Sequence, residues 1–186
     1  YYVHRSPHPQ SFGLLFVSFL LQYFVRILQI GGNENADCFM GFGLFFSLWV
    51  VIVAKFSDIG ALLIGKAIGR TKMAPSISPG KTIEGLIGGF AASAGIGALL
   101  PWLFQEKFTD IVFFGDWIFT PGQGAIWGTL LALSAVIGDL IASVLKRLAS
   151  MKDSGGAIPG IGGLFDLTDS LILAAPTGYF ILFLLR

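Results

Sequence analysis

Apolar residues along the chain are gathered into five long stretches, which shorter polar segments separate. The stretches run over about residues 12–30, 39–56, 83–104, 124–145 and 167–185. A helix needs about 20 apolar residues to cross a hydrocarbon core of roughly 30 Å, and each stretch is near that length. The pattern predicts an all-α fold, a polytopic transmembrane helical bundle with about five spans in this chain.

A further apolar piece, Ile59 to Ile68, follows Asp58 directly after the second stretch. It is too short to cross a bilayer by itself. Irregular backbone within a membrane must be shielded by protein. We therefore expect either an extension of the second helix or a re-entrant segment.

Charged residues divide the connecting loops into basic and acidic ones. Cytoplasmic loops of membrane proteins carry an excess of Lys and Arg. We therefore predict that the loops after the second and fourth stretches are cytoplasmic, together with the N-terminus. Their charged residues are Lys66, Arg70, Lys72, Lys81, Lys146, Arg147 and Lys152, with Asp153 the one acid among them. On the opposite, acidic side, we expect residues 108–119 to lie along the membrane interface.

The composition agrees with this interpretation. Hydrophobic residues make up 54% of the chain and charged residues 12%, and the mean hydropathy is +0.78, which excludes an ordinary soluble domain. The five helices leave no room for a separate extramembrane domain, so residues 1–186 should form a single integral-membrane domain. Because the first residue is Tyr1, we expect that the natural chain begins earlier and that N-terminal helices are missing here.

Net charge and cysteine content exclude further classes of function. The net charge is +1, which gives no general surface for a polyanion, so we expect no nucleic-acid partner. Cys38 is the one cysteine, so it permits neither an intrachain disulfide nor a cysteine metal cluster.

Glycines recur within the third stretch. Gly85 and Gly89 form a G-x-x-x-G pattern, with Gly88, Gly95 and Gly97 nearby. Small residues at this spacing allow two membrane helices to approach closely. The pattern predicts tight helix packing along this stretch.

Four carboxylates stand where a bilayer should not tolerate them. Asp58 ends the second stretch, Asp139 lies in the cytoplasmic half of the fourth, and Asp166 and Asp169 open the fifth. An ionised Asp at the centre of a membrane helix costs roughly 2.5–3.5 kcal/mol, so such residues face a wet cavity, a partner or a metal. All four should lie near the cytoplasmic side, which predicts a common site.

The fourth stretch also presents polar groups along one face. Ser143, Lys146 and Arg147 follow Asp139 at offsets of four, seven and eight residues, which places them on one helical stripe. Carboxylates without soft ligands suit a hard cation such as Mg²⁺, which is commonly shared with substrate phosphates. Lys and Arg suit phosphate oxygens. The inventory predicts a phosphorylated substrate at the membrane face.

The basic loop before the third stretch supports the same chemistry. Lys81, Thr82 and backbone N–H groups at the start of the third helix could cradle a phosphate. Residues 60–67 nearly match a phosphate-binding P-loop, but Ala67 replaces the Ser or Thr that would hold Mg²⁺, so we reject that match.

Three motifs resemble those of a known family. The segment from Ser143 to Asp169, with Lys146-Arg147, Lys152-Asp153 and PGIGGLFDLTD, closely resembles the signature of the phosphatidate cytidylyltransferases, the CDP-diacylglycerol synthases. The blocks SDIG at 57–60 and SPGKTIEG at 78–85 resemble two earlier motifs of that family, in the same order. The resemblance covers about Trp49 to Pro176. Two positions depart from the pattern, because Ile161 stands where the family commonly has His, and Leu167 where it has Arg.

The resemblance implies an Mg²⁺-dependent nucleotidyltransferase that converts CTP and phosphatidate into CDP-diacylglycerol and pyrophosphate in phospholipid biosynthesis. It also implies an inner-membrane location with the active site facing the cytoplasm, and makes a homodimer plausible. The second pKa of a phosphomonoester is near 6, so phosphatidate is already largely dianionic and can attack by itself. No Ser, His or Cys nucleophile is required.

The resemblance implies roles for individual residues. Asp139, Asp166 and Asp169 would be catalytic metal ligands, and Lys146 would be a catalytic cation that binds phosphate. Asp58 would support these ligands or line the lipid cavity. The other residues implied in substrate binding are Ser78, Lys81, Thr82, Ser143, Arg147, Lys152, Asp153, Gly160, Gly162 and Gly163.

Three alternatives stay open at this point, and one of them is a non-catalytic membrane scaffold, in which a change of Asp166 would alter only stability. The enzyme could act on a different lipid phosphate, such as an ether lipid or a polyprenyl phosphate, because apolar residues in a cleft do not distinguish lipid tails. A non-enzymatic cation transporter could use the same four acids as an ion path, and would place them near the midplane.

Overall fold

The computed structural model describes residues 8–29, 42–75, 78–107, 113–114, 117–148 and 164–185. Each predicted apolar stretch coincides with an α-helix, which confirms the all-α bundle. The helices are α1 (His8–Gln29), α2 (Phe42–Ile68), α3 (Ile83–Lys107), α4 (Pro121–Leu148) and α5 (Leu164–Leu185).

Three helices in the described part of the chain are long and apolar enough to cross a membrane. These spans are Phe42–Ile68, Ile83–Phe104 and Pro121–Leu145, whereas the apolar part of α5, Thr168–Leu184, is shorter. Large apolar side chains are exposed on the outside of the bundle, Ile87 and Ile126 among them. Exposed apolar surface of this extent is typical of a membrane protein. The number of five spans and their orientation stay predictions.

Helix α2 is longer than the second apolar stretch. It continues without interruption through Asp58 to Ile68, so the piece after Asp58 is a helix extension and not a re-entrant segment. The expectation that Asp58 ends the second span is therefore wrong. Asp58 lies ten residues before the end of α2, about 15 Å inside the helix at 1.5 Å per residue.

Two short antiparallel hairpins stand where the sequence predicts loops. Strand β1 (Lys72–Ala74) pairs with β2 (Ser78–Thr82), with Lys72 opposite Thr82 and a register shift in between. Strand β3 (Phe113–Phe114) pairs with β4 (Trp117–Ile118). The first hairpin joins α2 to α3. It therefore lies at the C-terminal end of α2, the end of the bundle at which the sequence predicts the four carboxylates.

Glycines allow α3 to contact its two neighbours backbone to backbone. A Cβ atom on Gly85 would come within 2.7 Å of the Ala61 carbonyl oxygen in α2, and one on Gly89 within 2.9 Å of the Ser57 carbonyl oxygen. The prediction of tight packing is confirmed for these two residues. It is wrong for Gly95, whose Cβ would meet nothing within 4 Å.

The contact between α3 and α4 uses glycine on both sides. A Cβ on Gly97 would collide with the carbonyl of Gly124, and a Cβ on Gly124 with that of Gly97. Gly128 also approaches α3, because its Cβ would lie 2.6 Å from the Ser93 carbonyl oxygen. Helix α3 thus approaches both α2 and α4 closely at these glycines.

An aromatic cluster fills the first half of α2. Phe46 and Trp49 are buried, and the Trp49 ring meets the Phe119 ring at 5.0 Å between centroids and an interplanar angle of 88°. The Trp49 Nε1–H group donates to the Gly97 carbonyl at 3.1 Å. The predicted interfacial position is wrong for Phe119, which is fully buried in this core. Residues 108–112 and 115–116 lie outside the described part.

Candidate active site

A pocket of about 300 Å³ lies between α2, the β1–β2 hairpin, α3 and α4. Its wall contains both polar and apolar side chains. The polar side chains are Asp58, Ser78, Lys81, Thr82 and Asp139, and the larger apolar ones are Leu62, Met73, Leu86 and Val136. Five residues that the sequence singled out, from three separate segments, therefore meet at one cavity.

Helix geometry brings the two pocket carboxylates to similar depths. Asp58 lies ten residues before the end of α2, and Asp139 lies nine residues before the end of α4. These helices run in the same direction, because each is antiparallel to α3, which lies between them in the chain. At 1.5 Å per residue both acids are about 15 Å inside the bundle from the same end. Asp58 and Asp139 thus line one pocket, as the sequence predicts, whereas their place near the cytoplasmic side stays a prediction.

Strand β2 carries Lys81 to Asp139. The Lys81 Nζ atom lies 2.6 Å from the Asp139 Oδ2 atom, and each side chain is about one-quarter exposed, 24% and 25% respectively. A charge-assisted pair of this length is stronger than a neutral hydrogen bond, and partial burial reduces its screening by solvent. The pair joins Lys81, which is predicted to bind substrate, with Asp139, which is predicted to bind metal.

Thr82 connects the hairpin to α3. Its Oγ1 atom accepts a hydrogen bond from the Gly85 N–H group at 3.1 Å, so Thr82 is the N-cap of α3. The Thr82 side chain is buried against Gly65 of α2, where a Cβ atom would lie 3.0 Å from Oγ1. The cap therefore fixes the position of the neighbouring Lys81 in the pocket.

Backbone amides at the start of α3 are already engaged within the protein. The Ile83 N–H group donates to the Thr71 carbonyl at 3.0 Å, and the Gly85 N–H group to Thr82. Two amides of this turn therefore have acceptors within the protein. That this turn and the Lys81 side chain bind a phosphate stays a prediction.

Glu84 anchors the start of the hairpin to α3 and was not singled out from the sequence. Its carboxylate accepts hydrogen bonds from the Arg70 N–H group at 3.1 Å, from the Thr71 N–H group at 3.1 Å and from the Thr71 hydroxyl at 2.9 Å. Three donors on one carboxylate hold the chain at the point where it leaves α2. Its position in the first turn of α3, where the helix dipole favours an acid, is the available sequence signal.

Lys55 is a second residue that the sequence reasoning missed. Its Nζ atom lies 3.7 Å from the Asp58 Oδ2 atom and donates a hydrogen bond to the Ser170 Oγ atom of α5 at 2.9 Å. The signal was available, since Lys and Asp three residues apart on a helix can pair. An ionisable residue inside an apolar run is by itself a reason to look for a partner.

Asp169 lies at the contact between α5 and α4. Its Oδ1 atom accepts the Ser170 N–H group at 2.7 Å. Its carbonyl oxygen would lie 3.0 Å from a Cβ atom on Gly138, the residue before Asp139. The structure thus brings the backbone of one predicted metal ligand next to another.

The described residues do not complete a metal site. Among them, no three His, Cys, Asp or Glu side chains lie close enough to hold a metal ion. The predicted set of three carboxylates requires Asp166, which is in the first turn of α5 but whose side chain lies outside the described part. The metal site therefore stays a prediction.

Helix α4 continues to Leu148, so the predicted stripe of polar residues is helical throughout. Ser143 is half-buried and Arg147 is exposed. The Lys146 side chain lies outside the described part of the chain. The remaining predicted residues lie outside it entirely, namely Lys152, Asp153, Gly160, Gly162 and Gly163. The same holds for the two departures, Ile161 and the side chain of Leu167.

Comparison with known proteins shows which family and which relatives this sequence resembles. The family model described as "Cytidylyltransferase family" matches residues 5–185. A protein named phosphatidate cytidylyltransferase from a Synechocystis species is 40% identical over 129 residues, which cover 69% of this chain and 40% of the relative.

Two further relatives carry the same name. The one from Chlamydia trachomatis is 36% identical over 92% of this chain and 53% of its own length. The one from Haemophilus influenzae is 41% identical over 77% of this chain and 48% of its own length. The chain therefore spans about half the length of the curated relatives that it matches.

Proposed function

The chain belongs to the cytidylyltransferase family, and from this premise we propose that the protein transfers a cytidylyl group from CTP to phosphatidate in phospholipid biosynthesis. The products would be CDP-diacylglycerol and pyrophosphate. The names of the relatives point to this lipid substrate.

The observation that carries the proposal is the mixed lining of the pocket. The charged side chains of Lys81 and Asp139 line it together with the apolar side chains of Leu62, Leu86 and Val136. Phosphatidate joins a phosphate anion to apolar acyl tails, so it needs a cation and an apolar surface next to each other.

The reaction needs alignment and charge neutralisation. An oxygen of the phosphatidate phosphate attacks the α-phosphorus of CTP, a new P–O bond forms, and the bond to the β,γ-pyrophosphate breaks. The nucleophile is anionic already. The principal obstacle is repulsion between two anions, which positively charged side chains reduce. Lys81 would hold one phosphate in the pocket, and Lys146 and Arg147 would hold others.

We propose Mg²⁺ as the cofactor, with Asp139, Asp166 and Asp169 as the residues that would hold it. The donor chemistry fits, because carboxylate oxygens are the ligands that Mg²⁺ prefers and the described residues of the pocket wall include no Cys or His. When bound, the ion would neutralise charge on the triphosphate. Asp139 lines the pocket. The carbonyl oxygen of Asp169 lies next to Gly138, the residue before Asp139.

The location of the site follows from the same reaction. CTP is a cytoplasmic metabolite, so we propose an inner-membrane protein whose pocket faces the cytoplasm. The basic hairpin at this end of the bundle supports that orientation, because positive charge favours the inner side. A homodimer belongs to the proposal on the family resemblance alone.

The test uses the full-length protein in detergent and in liposomes, with labelled CTP, Mg²⁺ and phosphatidate. We expect labelled CDP-diacylglycerol and pyrophosphate in equal amounts, and none from the Asp139→Asn variant. A polyprenyl phosphate and an ether-linked phosphatidate serve as competing substrates. Absence of product from phosphatidate rejects the proposal. If one competitor alone gives product, that lipid phosphate is the substrate instead of phosphatidate.

A further inference from the structure

Lys55 occupies the centre of α2, thirteen residues from either end of the helix. That helix is one of the three that are long and apolar enough to cross a membrane. An ionised Lys at such a place is costly unless another group pairs with it, and such residues mark functional sites in membrane proteins. The position therefore calls for a partner and a role.

The partners of Lys55 form a closed network of three side chains. Lys55 Nζ donates to Ser170 Oγ at 2.9 Å and lies 3.7 Å from Asp58 Oδ2. The Ser170 side chain also interacts with the Asp58 carboxylate. A hydroxyl can accept one bond and donate another, so Ser170 links the cation to the anion. Ser170 itself is fully buried.

The network connects two parts of the proposed site. Asp58 is part of the pocket wall, whereas neither Lys55 nor Ser170 lines the pocket. Ser170 follows Asp169 in α5, the helix that also carries Asp166. The three side chains thus tie the wall of the pocket in α2 to the first turns of the helix that carries two proposed metal ligands.

We propose that Lys55 is a positioning residue, which holds the Asp58 carboxylate at the pocket and fixes the start of α5 against α2 through Ser170. The inference rests on the proposed function. It differs from simple charge neutralisation, because a buried counter-ion for Asp58 would not need the bond to Ser170.

The first experiment tests the network through protein stability, without a measurement of turnover. The Lys55 and Asp58 side chains are partly buried, 32% and 38% exposed respectively. Removing one partner of such an ion pair leaves the other charge unpaired, whereas removing both can be nearly neutral. We expect Lys55→Met to lower the thermal unfolding midpoint of the full-length protein in detergent. The double variant Lys55→Met/Asp58→Asn should regain most of that loss. Lys66→Met, an exposed Lys near the end of the same helix, is the matched control and should leave the midpoint unchanged.

The second experiment measures turnover in the Ser170→Ala variant, which retains both charges. We expect kcat to fall about tenfold with KM for CTP nearly unchanged, because the start of α5 is displaced without loss of a nucleotide contact. Ser47→Ala, a buried Ser in the first half of α2, is the control and should keep kcat within about twofold. Lys55→Arg retains the cation and should keep more activity than Lys55→Met.

The outcomes distinguish the two proposals. Failure of the double variant to regain stability, or full activity of Ser170→Ala, overturns the positioning role of Lys55. Full activity of the double variant also overturns it, because charge neutralisation would then be the whole role. If the unmodified protein forms no liponucleotide, the proposed function fails and the effect of Lys55 on turnover fails with it. The thermal comparison still confirms or overturns the network in that case.

Discussion

Lys81 Nζ lies 2.6 Å from Asp139 Oδ2, so a cation from the β1–β2 hairpin balances a carboxylate of α4. A metal ion bound by Asp139 would share this oxygen with Lys81 or displace it. Lys81 therefore balances the negative charge of the Asp139 carboxylate before any substrate or metal ion binds. Two predictions follow from this relationship, one for the metal and one for the lysine.

Removal of the metal should abolish activity without unfolding the protein. Because Lys81 balances Asp139 in the metal-free state, chelation should leave the thermal unfolding midpoint within a few degrees of its starting value. Activity should disappear in the presence of a chelator and return when Mg²⁺ is added in excess. A large fall in the midpoint on chelation would show that Asp139 depends on the ion for its neutralisation.

Replacement of Lys81 by Met should reduce product formation. A hydrogen bond to a charged group contributes about 1.5–3 kcal/mol, so kcat/KM should fall roughly 10- to 150-fold. Lys81→Arg should retain part of the activity. The matched control is Lys72→Met on the neighbouring strand, where the side chain is exposed and does not line the pocket. Equal losses in both variants would mean that the hairpin acts through its general charge.

The contact between α3 and α4 should not tolerate a side chain. A Cβ atom on Gly124 would collide with the Gly97 carbonyl, which belongs to the backbone and cannot rotate away. Gly124→Ala should therefore destabilise the protein by about 1–3 kcal/mol, measured by thermal or denaturant unfolding in detergent.

Gly95→Ala provides the control for that substitution. Gly95 lies in the same helix as Gly97, but its Cβ would meet nothing within 4 Å. Since Ala is a better helix former than Gly, this variant should be neutral or more stable by about 0.5–1 kcal/mol. Equal destabilisation by both substitutions would contradict a specific contact between α3 and α4.

Removal of the Glu84 carboxylate should loosen the hairpin that carries Lys81. In Glu84→Ala the Arg70 and Thr71 amides lose their acceptor, so their hydrogen exchange should accelerate. The KM for phosphatidate should rise several-fold, because Lys81 is then less well placed.

Gln123 offers a matched control for Glu84. Its Oε1 atom accepts the Thr120 N–H group at 3.0 Å at the start of α4, which begins at the opposite end of the bundle from the pocket. Gln123→Ala removes a similar helix cap and should leave KM unchanged. A rise in KM in both variants would indicate general destabilisation.

Hydropathy alone predicts the helices of this protein, because five apolar runs near the spanning length correspond to five helices. It does not predict the length of α2. A charged residue lowers the local mean hydropathy, and Asp58 therefore marks an apparent end. The helix continues because Lys55 and Ser170 satisfy the carboxylate inside the bundle. Such partners become visible only when the tertiary contacts are known.

Part of the candidate site could likewise be predicted and part could not. The residue types in the pocket, with Lys81 and Asp139 among them, follow from the unusual presence of charge in apolar surroundings. Their contact does not, because nothing in the spacing of a lysine in one loop and an acid in a later helix specifies a pair. The β1–β2 hairpin is also invisible in the pattern, since its strands have three and five residues and include Pro79. Hairpins of this length form because their ends are held, here by Thr82 and Glu84.

The glycine contacts of α3 also bear on how the molecule can move. Where two backbones touch, relative sliding or rotation of the helices meets immediate steric resistance. We therefore expect α2, α3 and α4 to behave as one rigid body throughout turnover. Among the described elements, an opening that admits a lipid from the bilayer should then come from the hairpin, from α1 or from α5, and the speed of that motion would set an upper bound on the rate of catalysis.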